Sequence, residues 1–493
     1  MITVITFDNI NEVLMLFSST VFLLGFLPCL FICYFIIPQG KNGKFLWWKN
    51  IVLLLFSLVF YAWGGVAYLG ILLTSIAVNY VGGLLVTIPK SRKLQKLILF
   101  LAMAANLGLL GWYKYANFAA SVMISLGLSV EIPNVVLPIG ISFFTFQGAS
   151  YVIDVYRRDA RVQKNPLNVA LYVALFPQLV AGPIVRYTTV ENELTSRSHT
   201  LKSFSDGVVR FMLGFGKKMI IANAMGEIAD GIFGMDTATS LTTPLAWVGA
   251  VAYTLQIYFD FSAYSDMAIG LGRMFGFRFN ENFNYPYIAS SVTDFWRRWH
   301  ISLSSWFRDY VYIPLGGNRC SKGRHIFNLM VVWSLTGLWH GANWTFIVWG
   351  MYFGVLLITE KYLLAKVLPK IPAVIRHIAT LLIVIISWVL FRSDSITDAL
   401  SYLGVMFGNS SGSGWSRYAF YYIRQYYPEW ILGIIGVFPV KRLCESFIEK
   451  HKDNTAVFIF GQFAPKIFAV IVFVLGYFKL VSGSFNPFIY FQF

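Results

Sequence analysis

Long apolar stretches recur along the whole chain, with short polar loops between them. About 18 or more apolar residues are needed for a helix that crosses a bilayer, and shorter stretches suit buried or re-entrant helices. The pattern predicts an all-α, polytopic integral membrane protein with about eleven to thirteen transmembrane or re-entrant helices. The clearest stretches are residues 14–37, 51–63, 68–88, 97–112, 167–185, 241–259, 326–339, 344–359, 378–391, 430–440 and 467–481.

Composition supports this prediction, since 57% of the residues are hydrophobic and only 13% are charged. Soluble domains average about 25% charged residues, which leaves little room here for a soluble body. We predict one membrane domain over residues 1–493, with residues 483–493 as an extracytoplasmic aromatic tail. Cysteine spacing indicates neither a disulfide framework nor a metal site, so we expect no metal.

The net charge of +16 comes largely from basic residues in short loops. Basic loops stay in the cytoplasm under the positive-inside rule, and they bind anionic lipid headgroups. The lipid bilayer therefore explains the basic excess, and we expect no nucleic acid. Basic clusters lie at residues 41–49, 90–96, 157–164 and 441–452. This arrangement places both ends of the chain outside.

His340 is the only side chain between residues 326 and 357 that can carry charge near neutral pH. An ionisable group in such a stretch is expensive unless it faces a cavity or a partner, so it indicates a functional site. The alternative is a structural histidine that is hydrogen-bonded to a neighbouring helix.

A second histidine, His300, ends the run TDFWRRWH. Phe295, Trp299 and Trp306 recur at helical spacing, which is typical of a helix that lies in the membrane interface. The other interpretation is a cytoplasmic floor in which Arg297 and Arg298 bind the phosphates of a nucleotide-bearing donor. The two interpretations are compatible.

Several long motifs together resemble the membrane-bound O-acyltransferases (MBOAT), in particular the bacterial branch that acetylates alginate and peptidoglycan. The resemblance implies helices around a central tunnel that links a cytoplasmic donor to an outer acceptor. It also implies that His340 is the catalytic histidine and His300 a supporting one. The motifs are PIGISFFTFQGASYVIDVYR at 138–157, FPQLVAGPIVRY at 176–187, LQIYFDFSAYSDMAIGLGRMFGF at 255–277, the FWRRWHISLSSWFRDYVYIPLGG run within 282–318 and TGLWHGANW at 336–344.

The residues suit acyl transfer on chemical grounds as well. A buried, neutral imidazole can take the proton of an acceptor hydroxyl. The acyl carbonyl needs hydrogen-bond donors, and Asn343 and Trp339 are candidates close to His340 in the sequence. Gln256 is a candidate tunnel residue, and Trp299 a candidate for the donor site or the tunnel. Acetyl-CoA, or another acyl carrier, is the expected donor, and no cofactor is expected to stay bound.

The chain stops at Phe488-Ile489-Tyr490-Phe491-Gln492-Phe493. An aromatic end after a membrane span is commonly an interfacial belt. The spacing of Phe488, Tyr490 and Phe493 also resembles the end of the small peptide that works with D-alanine transferases of teichoic acid. By that analogy, Tyr490 would carry the acyl group on the outer side, provided that His340 activates its phenol.

We therefore expect a multi-pass enzyme of the bacterial cytoplasmic (inner) membrane. It would hand acetyl to an extracytoplasmic serine-esterase (SGNH-type) O-acetyltransferase, which would modify a polysaccharide. The alternatives are a D-alanyl transferase of teichoic acid type and a solute transporter. A third possibility is a noncatalytic scaffold for polymer export. The lack of internal repeats argues against the transporter.

Overall fold

The computed structural model describes residues 15–40, 44–180, 182–410, 417–483, 486, 487 and 489, without the side chain of Phe458. Within these ranges the secondary structure is helical and no strand occurs, which confirms the all-α prediction. The helices are α1 (Val21–Phe35), α2 (Leu46–Trp63), α3 (Val66–Leu85), α4 (Arg92–Ser125), α5 (Ile141–Arg157), α6 (Pro166–Ala174), α7 (Phe176–Leu179), α8 (Tyr187–Thr195), α9 (Leu201–Gly216), α10 (Asn223–Phe233), α11 (Thr243–Met274), α12 (Val292–Arg298), α13 (Ile301–Phe307), α14 (Lys322–His340), α15 (Trp344–Thr359), α16 (Ala373–Arg392), α17 (Ile396–Met406), α18 (Arg417–Gln425), α19 (Tyr427–Gly436), α20 (Val440–Lys450) and α21 (Thr455–Val481).

Six of the described helices are long and apolar enough to cross a membrane, and the chain is a multi-pass membrane protein. These candidate spans are Leu46–Trp63, Val66–Leu85, Arg92–Ser125, Trp344–Leu364, Ala373–Arg392 and Thr455–Val481. The span Trp344–Leu364 consists of α15 and the π-helical segment Glu360–Leu364 that continues it.

One predicted stretch, residues 167–185, is not a single helix. It folds into the short helices α6 and α7, which break at Leu175, where ψ is 111°. Pro177 lies in the first turn of α7, where its missing N–H costs nothing. Every residue of α7 is buried, so the apolar character of this stretch reflects protein burial.

Residues 201–233 form helices that the apolar pattern did not reveal. Arg210, Lys217 and Lys218 interrupt the hydrophobic run there. The π-helical segment Lys217–Ala222 connects α9 to α10, and the backbone on both sides of it stays right-handed helical.

The described chain divides into two compact units by its contacts. Unit 1 consists of residues 1–211 and 264–280, and unit 2 of residues 212–263 and 281–493, so α9 and α11 contribute to both. The single membrane domain expected over residues 1–493 stays a prediction.

In unit 1, α5 is buried along nearly its whole length. Gly148 lets α5 approach the side chain of Asn79 on α3. Asn79 and Asn106 of α4 exchange two amide hydrogen bonds, each of 3.0 Å. Paired amides of this kind hold helices together where no water competes.

The polar stretch 259–265 lies within the uninterrupted helix α11. Its neighbour Asp266 forms an ion pair of 2.8 Å with Arg210 in unit 1. Asp260, in unit 2, forms one of 2.9 Å with Lys218. Both carboxylates therefore contribute to helix packing.

In unit 2, glycines bring α14 and α15 into direct backbone contact. A Cβ at Gly337 would collide with the carbonyl oxygen of Phe346, and one at Gly350 with that of Trp333. Small residues allow this approach between membrane helices. The contact fixes the last turn of α14, where His340 lies.

We predict that Gly350→Ala lowers the melting temperature of the detergent-purified protein. Its Cβ would meet backbone rather than a flexible side chain, and overpacking of this kind costs about 1–3 kcal/mol. Gly323→Ala in the first turn of α14 is the control, because a Cβ there meets nothing within 4 Å. Equal melting temperatures for the two variants would contradict the proposed contact.

Candidate active site

His340 is the last residue of α14, and only 7% of it is exposed. Three aromatic rings surround its imidazole. The centroid of Trp339 is 5.0 Å away, that of Trp349 on α15 is 5.2 Å away, and that of Phe391 on α16 is 5.3 Å away. All three rings stand nearly perpendicular to the imidazole. They shield the histidine from bulk water, an environment that favours the neutral imidazole.

His300 connects α12 to α13 and adopts a left-handed backbone conformation, with φ of 44°. This conformation is uncommon for a residue other than glycine, and it persists where the surrounding structure holds it. His300 is 3% exposed, and its Nδ1 lies 3.2 Å from Asn282 Oδ1. The same oxygen accepts hydrogen bonds from the backbone N–H and the hydroxyl of Ser302.

These contacts determine which nitrogen of His300 carries the proton. The backbone N–H of Ser302 can only donate, so the atom of Asn282 that faces it is the amide oxygen. His300 Nδ1 must therefore donate to this oxygen, which leaves Nε2 as an acceptor. Burial lowers the pKa of His300 to about 3, so the ring stays neutral at physiological pH.

The two histidines share one neighbour, the indole of Trp339. Its ring centroid lies 5.9 Å from that of His300 and 5.0 Å from that of His340. Forty positions separate these histidines in the sequence, yet unit 2 brings them to the same side chain. The two histidines thus lie in one region of unit 2, while their catalytic roles stay predictions.

One of our interpretations made Trp299 part of an interfacial helix, and the structure contradicts it. Trp299 is 4% exposed and packs against Phe283 and Trp388, with ring centroids 5.1 and 4.9 Å away. Phe295 and Trp306 are buried as well. The helix also ends at Arg298, so residues 295–306 do not form one continuous interfacial helix.

The two arginines before Trp299 differ in their surroundings. Arg297 is exposed. The guanidinium of Arg298 donates to Asp294 at 2.9 Å and to the carbonyl oxygen of Asn284 at 3.4 Å. Arg298 is thus neutralised within the fold, and Arg297 is the better candidate for binding donor phosphates.

Gln256 on α11 is 2% exposed, and its side-chain oxygen accepts no hydrogen bond from the described part of the chain. A buried acceptor of this kind is costly unless a ligand or water supplies a donor. Its environment is therefore compatible with the expected tunnel role.

Asn343 holds the start of α15. Its side-chain oxygen accepts from the N–H of Thr345 and caps α15, and its amide nitrogen donates to the carbonyl of Asp394 at 2.9 Å. These contacts use the oxygen and one of the two amide N–H groups, so the expected contact with an acyl carbonyl stays a prediction. Asparagine before an apolar run is a standard N-cap signal, which would have supported this alternative from the sequence.

The position of His325 beside a polar loop predicts a solvated histidine, but the structure buries it. It is 2% exposed, and its two ring nitrogens each lie 2.8 Å from a tyrosine hydroxyl, of Tyr312 and Tyr362. Lys361 Nζ is also 3.1 Å from Nε2. Two of these partners follow His325 by more than 30 positions, so local sequence gave no sign of them.

The aromatic tail is described only in part. Phe488, Tyr490 and Phe493 lie outside the described residues, so their predicted roles stay predictions. Asn486, Pro487 and Ile489 are described, and all three form hydrogen bonds with other residues of unit 2.

Known proteins resemble this chain over most of its length. The family model for membrane-bound O-acyltransferases matches residues 32–397. A probable alginate O-acetylase AlgI of Azotobacter vinelandii is 39% identical over 97% of this chain and 100% of that protein. A peptidoglycan O-acetyltransferase of Helicobacter pylori is 36% identical over 80% of each chain. A teichoic acid D-alanyltransferase of Bacillus subtilis is 33% identical, over 45% of this chain and 59% of that protein.

We predict that His300 stays neutral when the pH is lowered to about 5, below the ordinary histidine pKa of about 6.5. The measurement is a ¹⁵N NMR titration of histidine-labelled protein in detergent, with the His300 signals assigned by their loss in His300→Gln. The neutral form protonated on Nδ1 is expected throughout. An imidazolium signal from His300 at that pH would contradict the assigned environment.

Proposed function

This chain belongs to the membrane-bound O-acyltransferase family and is an acyltransferase, and on that premise we propose that it transfers acetyl across the membrane. The donor is a cytoplasmic thioester, acetyl-CoA, and the final acceptors are hydroxyl groups of an extracytoplasmic polysaccharide. Relatives named for alginate and peptidoglycan O-acetylation cover most of the chain, which supports this class of acceptor.

The surroundings of His340 carry the proposal. A buried imidazole between three aromatic rings is poorly suited to binding a charged solute, but it suits proton transfer in a dry site. Water is also excluded there, which protects a thioester from hydrolysis.

In the proposed step, the imidazole of His340 takes the proton of an acceptor hydroxyl. The hydroxyl oxygen forms a bond to the acetyl carbon, and the bond between that carbon and the thioester sulfur breaks. The proton then passes from His340 to the departing thiolate, so that free thiol and an acetyl ester are the products. A base with a pKa close to the working pH is best suited to this exchange.

His300 has a supporting role in this mechanism. Its Nδ1 proton is donated to Asn282, and its Nε2 is an acceptor. Its ring lies against Trp339, which also contacts His340. It therefore orients the wall of the site instead of taking the substrate proton.

Two basic loops of unit 1 support a cytoplasmic origin of the donor. Lys90 lies in the loop between α3 and α4, and Arg92 begins α4. The loop after α5 carries Arg158 and Arg161. Lys441 and Lys452 precede α21, whose far end leads into the tail. The positive-inside rule then places the tail on the outer side.

The tail provides a first acceptor on that side. We propose that the phenol of Tyr490 receives acetyl in a His340-dependent step and presents it to a separate SGNH-type O-acetyltransferase. That partner completes transfer to the polysaccharide. The protein accordingly works in the bacterial cytoplasmic membrane.

D-alanyl transfer is the weaker alternative, since the D-alanyltransferase of Bacillus subtilis matches 45% of this chain. The acetylating relatives match 80% and 97% of it. A solute transporter would leave the thioester intact, so thiol release separates the two classes.

We predict that His340→Ala lowers thiol release from acetyl-CoA by at least about a hundredfold, as expected for loss of a general base. The assay follows free thiol with detergent-purified protein. His451→Ala removes an exposed histidine instead and serves as the control. Thiol release by His340→Ala at the wild-type rate would contradict the proposed role.

Tyr490→Phe is predicted to abolish retention of labelled acetyl by the protein, because phenylalanine has no hydroxyl to esterify. The measurement is radiolabel remaining on the protein after incubation with labelled acetyl-CoA. Tyr477→Phe, which removes another phenol from the last span, is expected to retain the label. Label on Tyr490→Phe with loss in His340→Ala would keep the enzyme and remove the relay.

A further inference from the structure

A buried ion pair lies in unit 2. Its two residues are distant in the sequence from the aromatic residues around His340. Lys218 Nζ and Asp260 Oδ1 are 2.9 Å apart, and the side chains are 3% and 1% exposed. Lys218 belongs to the π-helical segment Lys217–Ala222, and Asp260 to α11. Short π-helical segments inside α-helices occur frequently at functional sites.

Both members of this pair also bind the backbone of the tail. Lys218 Nζ donates to the carbonyl oxygen of Pro487. The N–H of Ile489 donates to Asp260 Oδ2 at 3.1 Å. The ammonium of Lys218 thus satisfies the carbonyl of Pro487, and the carboxylate of Asp260 satisfies the N–H of Ile489. These two backbone groups lie on either side of a single tail residue.

Side chains strengthen this contact on either side. Asn223 donates from its amide nitrogen to the side-chain oxygen of Asn486 at 3.1 Å. Ile489 has no exposed surface and belongs to the same buried hydrophobic core as Trp349 and Phe391. Those two rings flank His340, so the tail and the candidate site are parts of one core.

The helix before the tail approaches the same π-helical segment. A Cβ at Gly216 would collide with Val472 of α21, and one at Gly476 would lie 3.0 Å from the ring of Phe215. Close packing through glycines therefore fixes α21 beside Lys218. The tail begins two residues after α21 ends, so it leaves that helix near its binding groups.

We propose that the Lys218–Asp260 pair is the docking site of the C-terminal tail, and that it positions Tyr490 for acyl transfer. Buried charges without hydrogen-bonding partners are strongly unfavourable, and here the tail backbone supplies such partners. The pair recognises backbone groups of the tail, and the side chains of Asn486 and Ile489 add further contacts.

The positioning role of the docking site rests on the proposed function of Tyr490, whereas the docking itself does not. Tyr490 follows Ile489 directly, and consecutive Cα atoms are about 3.8 Å apart. Holding Ile489 therefore limits the volume that the phenol can sample. Lys218 and Asp260 are thus positioning residues, which act through the tail.

The test compares hydrogen–deuterium exchange of the tail in the full chain, purified in detergent. The main variant is Lys218→Met/Asp260→Leu, which replaces both charges by apolar side chains of similar size and so avoids an unpaired buried charge. The control is Arg210→Met/Asp266→Leu, because that ion pair joins α9 to α11, the helix that also carries Asp260. Exchange is followed by mass spectrometry of the peptide that contains Ile489.

The proposal predicts that tail exchange is roughly tenfold or more faster in Lys218→Met/Asp260→Leu than in wild type, as for loss of local docking. The Arg210→Met/Asp266→Leu control should keep the wild-type rate. Ile489→Ala provides a second route, since it leaves the ion pair intact and removes the buried tail side chain. Unchanged exchange in both Lys218→Met/Asp260→Leu and Ile489→Ala would overturn the docking site.

Labelled acetyl-CoA separates docking from the relay. If its tail exchanges faster, the Lys218→Met/Asp260→Leu variant should also retain at least roughly tenfold less acetyl on the protein than wild type, in proportion to the loss of docking. Faster exchange with undiminished label would overturn the positioning role. If wild type retains no label, the proposed relay fails, and the exchange rates alone then decide the docking site.

Discussion

The cost of burying polar and ionisable groups in a membrane protein governs this structure, because no bulk water is present to solvate them. Several of the groups described above are therefore held by a specific neighbour. Asn79 pairs with Asn106, His300 donates to Asn282, and Lys218 pairs with Asp260. His340 lies between aromatic rings, where a neutral imidazole is favoured and water is excluded. Acyl transfer needs both of these conditions.

Hydropathy predicted the helical fold and located His340, because a single ionisable residue stands out in an apolar run. It did not reveal the helices at residues 201–233, since Arg210, Lys217 and Lys218 interrupt the apolar pattern there, although partners distant in sequence satisfy Arg210 and Lys218. The aromatic spacing around Trp299 was ambiguous, because a buried wall and an interfacial helix use the same residues. The partners of His325 and the docking of Ile489 depend on tertiary contacts, which neither spacing nor composition contains.

The structure of unit 2 suggests how the two ends of the proposed reaction are connected. Trp349 and Phe391 contact His340, and they share a hydrophobic core with Trp299 and with Ile489 of the tail. Close-packed cores transmit small displacements to neighbouring elements. A shift of the tail would therefore displace the rings around His340. In the proposed relay, this connection links the acceptor on the tail to a histidine that is distant in sequence.

Acetyl is proposed to enter on the cytoplasmic side and to emerge on the tail at the outer side. This transfer can be followed in proteoliposomes that enclose labelled acetyl-CoA, with a protease added only outside. We expect the protease to release a labelled tail peptide from wild-type vesicles and none from vesicles with His340→Ala. Label that becomes accessible only after detergent dissolves the bilayer would contradict transfer across the membrane.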